Sequence, residues 1–402
     1  MKHFIEVAGF SFLVLLMSLA PTRAGEDAIR LGVMADMSGP FSDIQGPGDV
    51  VAVKMAVEDF GGKVLGKPIR ILSADHLNKA DVGATIARRW IEVDKVDVIL
   101  GLGNSAVALA VQQLAREKRV INIATSVATS DLTQAACSPY GAHWVFDSYA
   151  LAKGAVTGLA KQGDTDWFLL TVDYAYGHAM ERDATAMVKS TSGRVLGSVR
   201  HPLNTQDFSS FLLQAQSSPA SVVGFANAGG DLVNSIKQAA EFQVIGKGKR
   251  MVAFAAQVST VHAIGLKAAK GLMFVEAFYW DQNDETRAFS KRFASIHGRP
   301  PTMLQAGIYS AAMHYLKSVQ AAGTDNSDAV MAQMRKIKIN DFMTKDGWIR
   351  EDGRVMRDMY LLQAKAPEDS KSEWDLLKVV ATVPANEAFR PLLESACPLV
   401  KK

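Results

Sequence analysis

The chain has 402 residues, 48% apolar and 21% charged, with 31 Gly and 13 Pro; that is a globular composition and excludes a collagen, a coiled-coil rod or a disordered acidic tail. A chain of this length is expected to form about two domains, each burying its own core. The net charge of +3, from 44 Lys plus Arg against 41 Asp plus Glu, excludes the clustered basic excess of a nucleic-acid binder, and Lys247, Lys249 and Arg250 read as a loop.

Residues 1–24 read as a secretory signal, not as part of the fold. Lys2 and His3 give a short basic start. Phe10 to Ala20 is apolar apart from two Ser, and Thr22-Arg23-Ala24 places small residues for cleavage before Gly25. The apolar run is too short for a stable membrane span, and no later stretch reaches about 18 apolar residues. No Cys follows it, so a lipid anchor is not expected. The two Cys, Cys137 and Cys397, both fall in the exported part. An even pair in an oxidising compartment points to one disulfide tying the C-terminus to a mid-chain loop. Two separate buried thiols are the alternative, and the contexts Cys137-Ser138-Pro139-Tyr140 and Cys397-Pro398-Leu399 suit them poorly.

The mature chain then alternates strand and helix patterns. Strands are expected at Ile29–Ala35, Ile69–Ser73, Val96–Leu100 and Val120–Ala124, with helices at Val50–Phe60, Thr85–Val93 and Val107–Ala115 between them. After a loop over 125–148 the rhythm restarts with strands at Trp167–Val172, Val195–Arg200, Ser221–Phe225, Met251–Ala255 and Leu272–Val275. Helices at Ala179–Lys189, Phe208–Gln216 and Leu232–Phe242 alternate with them. Three helices follow without strands between them: Thr286–His297, Gln305–Ala322 and Asp328–Lys336. Late strands fall at Gly347–Arg350, Met359–Gln363 and Leu376–Thr382. The order βαβα implies parallel sheets with helices on both sides, in an α/β chain whose last segments cross back to complete two lobes.

Ligands of open parallel sheets bind off the carboxyl ends of the strands. The loops there are Asp36–Ser42, Gly101–Ser105, Thr125–Ser130, Asp173–Gly177, Asn227–Asp231 and Gln257–Thr260. They are rich in hydroxyl, amide and aromatic groups and poor in charge, the chemistry of a site that hydrogen-bonds a small ligand. Ser105 is expected at a helix N-cap, where its hydroxyl and the free N–H groups suit a carboxylate. Capping alone would account for it equally well. Gly101-Leu102-Gly103-Asn104-Ser105-Ala106 fits G-x-G-x-x-A, but it follows the third strand and lacks the acid expected some 20 residues on, so an NAD-linked enzyme is disfavoured. No hydrolase or P-loop motif appears, and no cofactor is expected. Asp75-His76 lacks the clustered partners of a metal site, His143 and His178 read as surface or satisfied core histidines, and Asp231 reads as a helix cap.

These residues resemble the periplasmic solute-binding proteins of the leucine/isoleucine/valine-binding type, which serve ABC importers. The resemblance is carried by Ile29-Arg30-Leu31-Gly32-Val33 with Ser38-Gly39-Pro40, Val98-Ile99-Leu100-Gly101 with Ser105, Ala128-Thr129-Ser130-Asp131-Leu132-Thr133, Asp173-Tyr174-Ala175-Tyr176-Gly177 and Asp207-Phe208-Ser209. It covers about residues 28–365. The Ala-Cys-Ser-Pro loop, His143-Trp144 and the Cys-Pro-Leu tail look like a subgroup that includes binders of aromatic carboxylates. The resemblance implies a type I periplasmic binding protein: two Rossmann-like lobes, three hinge crossings, and closure over a small organic acid or amino acid. Lobe 1 would comprise 25–146 and 278–353, lobe 2 147–277 and 354–385, with the tail 386–402 tied back. Carried over, Ser105 and Val127, Ala128 and Thr129 match positions that hold carboxylate and ammonium; Phe41 or Ser42 matches a first-loop contact and Tyr176 an aromatic one. Asn227 and Gln257 lie in the other second-lobe loops, and Asn104, Ser126, Tyr149 and Tyr174 complete the candidate set. The family's usual second-lobe acid is missing from Ala256-Gln257-Val258-Ser259. A monomer that delivers its solute to a membrane permease is expected, with a ligand-sensing subunit or an exported enzyme as the alternatives.

Overall fold

The computed structural model describes Met1, residues 28–244 and residues 248–401. The expected signal segment beyond Met1, and Lys247, lie outside the described residues.

The first block runs β1 (Ile29–Ala35), α1 (Gly46–Phe60), β2 (Lys63–Val64), β3 (Lys67–Asp75), α2 (Ala80–Glu92), β4 (Val98–Gly101), α3 (Ser105–Lys118), β5 (Ile121–Ala124) and β6 (Gly141–His143). Its sheet has the order β2-β3-β1-β4-β5-β6 and is parallel apart from the β2–β3 hairpin. Strands β4 and β5 are buried at every residue, which is why they read as short apolar runs without alternation.

Residues 144–147 carry the chain into the second block. It runs α4 (Ser148–Ala160), β7 (Asp166–Val172), α5 (Ala175–Ser190), β8 (Arg194–His201), α6 (Ser209–Ser217), β9 (Val222–Ala228), α7 (Gly229–Glu241), β10 (Arg250–Ala255), α8 (Val258–Ile264), α9 (Leu266–Ala269) and β11 (Met273–Glu276). Residues 277–283 then lead back to the first block. There α10 (Asp284–His297) and α11 (Met303–Ala322) pack on α1, α12 (Ser327–Lys336) packs on α11, and β12 (Trp348–Ile349) pairs with β13 (Val355–Met356). A third crossing at 357–358 leads to β14 (Met359–Ala364), β15 (Leu377–Val383) and the short α13 (Ala385–Ala388). The second sheet has the order β15-β14-β11-β10-β9-β7-β8; five parallel strands are extended at one edge by antiparallel β14 and β15.

Helix α4 occupies a stretch where the sequence reading has no element. Eight of its residues, from Ser148 to Leu159, are buried, because it is packed between the second sheet and α5. A helix covered on most sides has no polar face to mark its period. Strand β9 likewise runs past the expected Phe225 to Ala228.

One apolar core continues through the first lobe, the crossings and the inner face of the second sheet. Arg354, beside the third crossing, is buried within it. Its guanidinium donates to the Phe146 carbonyl at 2.8 Å and faces the Asp147 carboxylate at 3.6 Å, both in the first crossing. Burial brings its pKa down to about 9, so it stays charged at neutral pH, and burial raises the Asp147 pKa while the Arg354 charge acts in the opposite sense; this buried pair ties the first crossing to the segment leading into the third. In the second crossing Phe278 packs edge-on against Phe289 and Phe342. Cys137 and Cys397 form the disulfide. Removing one member of a buried pair strands the other, so Arg354→Met should lower stability by about 3–5 kcal/mol in urea unfolding; a change below about 1 kcal/mol would show that the pair does not brace the hinge.

Candidate functional site

In each sheet the strand order reverses once, between β1 and β4 in the first and between β7 and β9 in the second. At such a point the outgoing loops diverge and leave a crevice. The two crevices face each other and together form one cavity. Its lining comes from the β1–α1 loop (Phe41, Ile44, Gln45), the start of α3 (Gly103, Ser105), the loop after β5 (Ser126, Ala128), the first crossing (Phe146) and the start of α11 (Leu304). The second lobe adds Tyr174 and Tyr176 at the start of α5, Ala228 before α7, and Ala255 and Gln257 around the start of α8. As the lobes stand the cavity is small, about 40 Å³, and open to solvent in part. The lobes meet across the cleft: the Gly230 N–H donates to the Pro40 carbonyl at 3.1 Å.

Seven candidates from the sequence line this cavity: Phe41, Ser105, Ser126, Ala128, Tyr174, Tyr176 and Gln257. Ser105 is not the N-cap expected for it. Asn104 caps α3, accepting from the Ala106 and Val107 N–H groups at 2.9 and 3.2 Å. Ser105 is thereby the first helical residue; its Oγ accepts from the Thr129 N–H at 3.3 Å, which leaves its own proton to donate elsewhere. Gly103 permits this turn. A Cβ there would lie 1.5 Å from Gln45 Oε1, and the Gln45 amide donates to the Gly103 carbonyl at 3.1 Å. The glycine spacing therefore serves this close approach between two loops. The phenol of Tyr176 and Oε1 of Gln257 are buried with no hydrogen-bond partner, and burial pushes the Tyr174 and Tyr176 pKa values up, so both phenols keep their protons.

Six candidates lie outside the lining. The Ser42 hydroxyl donates to the Gly39 carbonyl at 2.7 Å, and Asn104 is used as the cap. The Val127 carbonyl accepts from His143 Nε2 at 2.7 Å, and Thr129 caps the turn Ser130–Thr133. The Tyr149 ring lies 4.5 Å beneath the Arg390 guanidinium. Asn227 is taken into β9, where its amide meets Ser235 and His201, each at 3.2 Å. Asp231 does not cap α7; it sits in the first turn and accepts from the Asn204 N–H at 3.1 Å. Of the lining residues that the sequence reading missed, Ile44 and Gln45 lie just past the expected loop Asp36–Ser42. Phe146 and Leu304 had no local signal, because only the chain crossings bring them to the cleft.

Among the described residues no ionisable acid or base lines the cavity. One carboxyl lies just behind it. Asp49, in the first turn of α1, is buried against Ser126, and neither of its oxygens has a hydrogen-bond partner. Desolvation raises its pKa to about 8, with the neighbouring Ser126 hydroxyl acting in the opposite sense. At neutral pH this acid is mostly protonated, so the wall beneath Ser126 carries little negative charge. Asp75-His76 has no metal-like surroundings: among the described residues no cluster of three potential ligands occurs.

Two hinged α/β lobes closing on a neutral, hydroxyl-rich cavity form a container for one small solute. The chain belongs to the periplasmic binding protein family, whose model matches residues 28–371. It is similar to a periplasmic binding protein from Burkholderia mallei, at 47% identity and a TM-score of 0.92, over 94% of this chain and 100% of that one. A branched-chain amino acid ABC transporter periplasmic ligand-binding protein from Burkholderia xenovorans is 40% identical, with a TM-score of 0.84 over 93% and 100% of the two chains. A solute-binding protein of an ABC transporter from R. palustris, in complex with benzoate, is 21% identical, with a TM-score of 0.81 over 89% and 97%; that likeness is one of fold. The chain is thus a solute-binding protein of the kind that serves ABC transporters, and its family is periplasmic.

The Asp49 environment has a consequence for stability. An ordinary carboxyl in the unfolded chain ionises near pH 4, whereas Asp49 in the folded protein holds its proton until about 8. Between those values the unfolded state binds fewer protons, so this residue's contribution falls as pH rises, by up to roughly 1.4 kcal/mol per pH unit. Asp49→Asn should therefore gain stability relative to the parent protein between pH 4 and pH 8. Parallel urea-unfolding curves at both pH values would refute that.

Proposed function

We propose that this chain is a non-enzymatic binding subunit that holds a small carboxylate-bearing organic molecule between its lobes and presents the closed form to an ABC-transporter permease. The observation that carries the ligand class is the convergence of helix N-termini. The starts of α1 (Gln45), α3 (Ser105), α5 (Tyr174), α7 (Ala228), α8 (Gln257) and α11 (Leu304) all reach the cavity. Each such end carries partial positive charge, and no ionised side chain among the described lining residues offsets it. An anion is favoured there; a ligand ammonium would find no carboxylate in the lining. Phe41, Phe146, Tyr174 and Tyr176 offer ring faces to an apolar or aromatic body. A branched-chain amino acid is the second reading, favoured by the description of the Burkholderia xenovorans relative.

The same reading assigns residues 1–24 to an export signal and makes the working protein a monomer. It divides the chain into lobe 1 (25–146 with 278–353), lobe 2 (147–277 with 354–385) and a fastened tail (386–402). The glycine spacing at Gly101–Ala106 supports no nucleotide-linked enzyme, since Gly103 is explained by Gln45.

The test is titration calorimetry of residues 25–402, refolded to strip carried-over ligand, with benzoate, 4-hydroxybenzoate, cinnamate, leucine and valine. Binding of the aromatic acids and not of the amino acids is expected. The reverse would overturn the preference for an acid without an ammonium and establish the second reading. With whichever ligand binds, Ser105→Ala should weaken affinity by about 1–3 kcal/mol, the scale of a lost hydrogen bond to a charged group. Unchanged affinity would remove Ser105 from the site.

A further inference from the structure

The crossings at 144–147, 277–283 and 357–358 are not the whole connection between the lobes. The chain leaves β15, at the edge of the second sheet, and ends on the first lobe, where Cys397 is bonded to Cys137. Between those points it is packed on the hinge. Phe389 is buried beneath the Arg354 guanidinium, 4.6 Å from it, so it rests on the residue that joins the first and third crossings. The Arg390 carbonyl accepts from Arg350 at 2.7 Å, on the first-lobe side. The Ala396 N–H donates to Gln134 Oε1 at 3.0 Å, beside the disulfide.

The Arg390 side chain reaches the other way. Its guanidinium donates to Asp183 Oδ1 on α5 at 3.1 Å and lies over the Tyr149 ring. Asp183 is buried and is where the lobes touch outside the cavity. Its other oxygen accepts from Ser130 of the first lobe at 2.7 Å and from Ser148, the first residue of α4, at 2.5 Å. Next to it Arg182 reaches across to Asp131 at 3.0 Å. Opening the lobes must break the Ser130 and Asp131 contacts. Arg390, together with Arg182 Nε at 3.4 Å, partners the Asp183 carboxylate, and Arg390 holds it aimed at Ser130, because a buried carboxylate is costly unless paired.

We propose that residues 384–397 form a fourth, disulfide-fastened crossing that restrains lobe opening, and that Arg390 is a positioning residue for the closed arrangement, acting through Asp183. The proposal rests on the reading that the lobes open and close, and it adds an element outside the ligand cavity that sets how readily they do so. With the strap in place, the ligand-free protein samples closure more often, which raises apparent affinity for any ligand of the closed form.

Small-angle scattering of the ligand-free protein, residues 25–402, tests this without a known ligand. Four variants are compared with the parent: Arg390→Ala, Arg390→Lys, the double change Cys137→Ser with Cys397→Ser, and a wedge, Gly229→Asn. Gly229 has φ +56°, which Asn tolerates, and a Cβ there would lie 2.2 Å from the Pro40 carbonyl of the opposite lobe. The wedge therefore forces the cleft apart. Circular dichroism recorded alongside separates opening from unfolding.

Arg390→Ala and the double serine change should each increase the radius of gyration toward that of the wedge variant with an unchanged circular dichroism spectrum, and Arg390→Lys should restore most of the parent value. Parent-like scattering from both strap variants, while the wedge opens, overturns the strap and leaves the hinge reading intact. Parent-like scattering from all of them, the wedge included, overturns both. Arg390→Ala keeps the disulfide, so the question is answered even if the double serine variant does not fold.

Discussion

The structure depends on one directional constraint. A parallel strand ends where its helix begins, so every βα unit in a sheet delivers its helix N-terminus, with unpaired N–H groups, to the same edge. Each lobe has one reversal of strand order, and there two neighbouring units part and leave those N-termini exposed. A single lobe would offer a shallow crevice. Two lobes set edge to edge enclose a cavity whose polar character comes largely from backbone and hydroxyl groups. The three crossings serve this geometry: they keep the two edges facing each other while leaving few backbone dihedrals to turn.

Much of this was readable from the sequence because parallel strands and their helices alternate in a fixed order. β1 begins and ends where the apolar run Ile29–Ala35 does, and most other elements differ from expectation only at their ends. What could not be read was set by tertiary packing. α4 lacks a polar stripe since sheet and helix cover it. Asn227 was assigned to a loop on its polarity, yet β9 carries it into the interior, where its amide nitrogen meets His201 and Ser235. The exchange of roles between Asn104 and Ser105 turns on one residue of register: either side chain can cap a helix, and only the geometry shows that Asn104 does, so the Ser105 hydroxyl remains available.

Phe146 and Leu304 mark a different limit. Leu304 follows no strand, and Phe146 follows the three-residue β6 in a stretch the sequence reading left as loop, so the rule that placed the other candidates could not reach them. They enter the cavity because the hinge joins segments far apart in sequence. Arg354 has the same origin. A buried arginine cannot be anticipated from an isolated Arg in a polar stretch, but it fits a place where the first crossing presents a carbonyl and a carboxylate together. The tail follows this logic too, since the Phe389 ring lies against that guanidinium, 4.6 Å from it.

The neutral lining and the closure of the lobes are linked. The direct contacts that closure gains outside the tail are few: one backbone hydrogen bond from Gly230 to Pro40, the bonds of Ser130 to Asp183 and to Arg182, and the exposed Arg182–Asp131 pair. Hydrogen bonds of this kind contribute on the order of 1 kcal/mol each, and exposed ion pairs less. Their sum is small enough for a ligand that touches both lobes to decide the equilibrium. An ionised side chain in the wall would alter that balance, because closing an empty cavity would then desolvate a charge at a cost of several kcal/mol. Backbone dipoles, hydroxyls and a protonated Asp49 avoid this cost. They lower the cost of closing the empty protein, and under the proposed function they favour an anion.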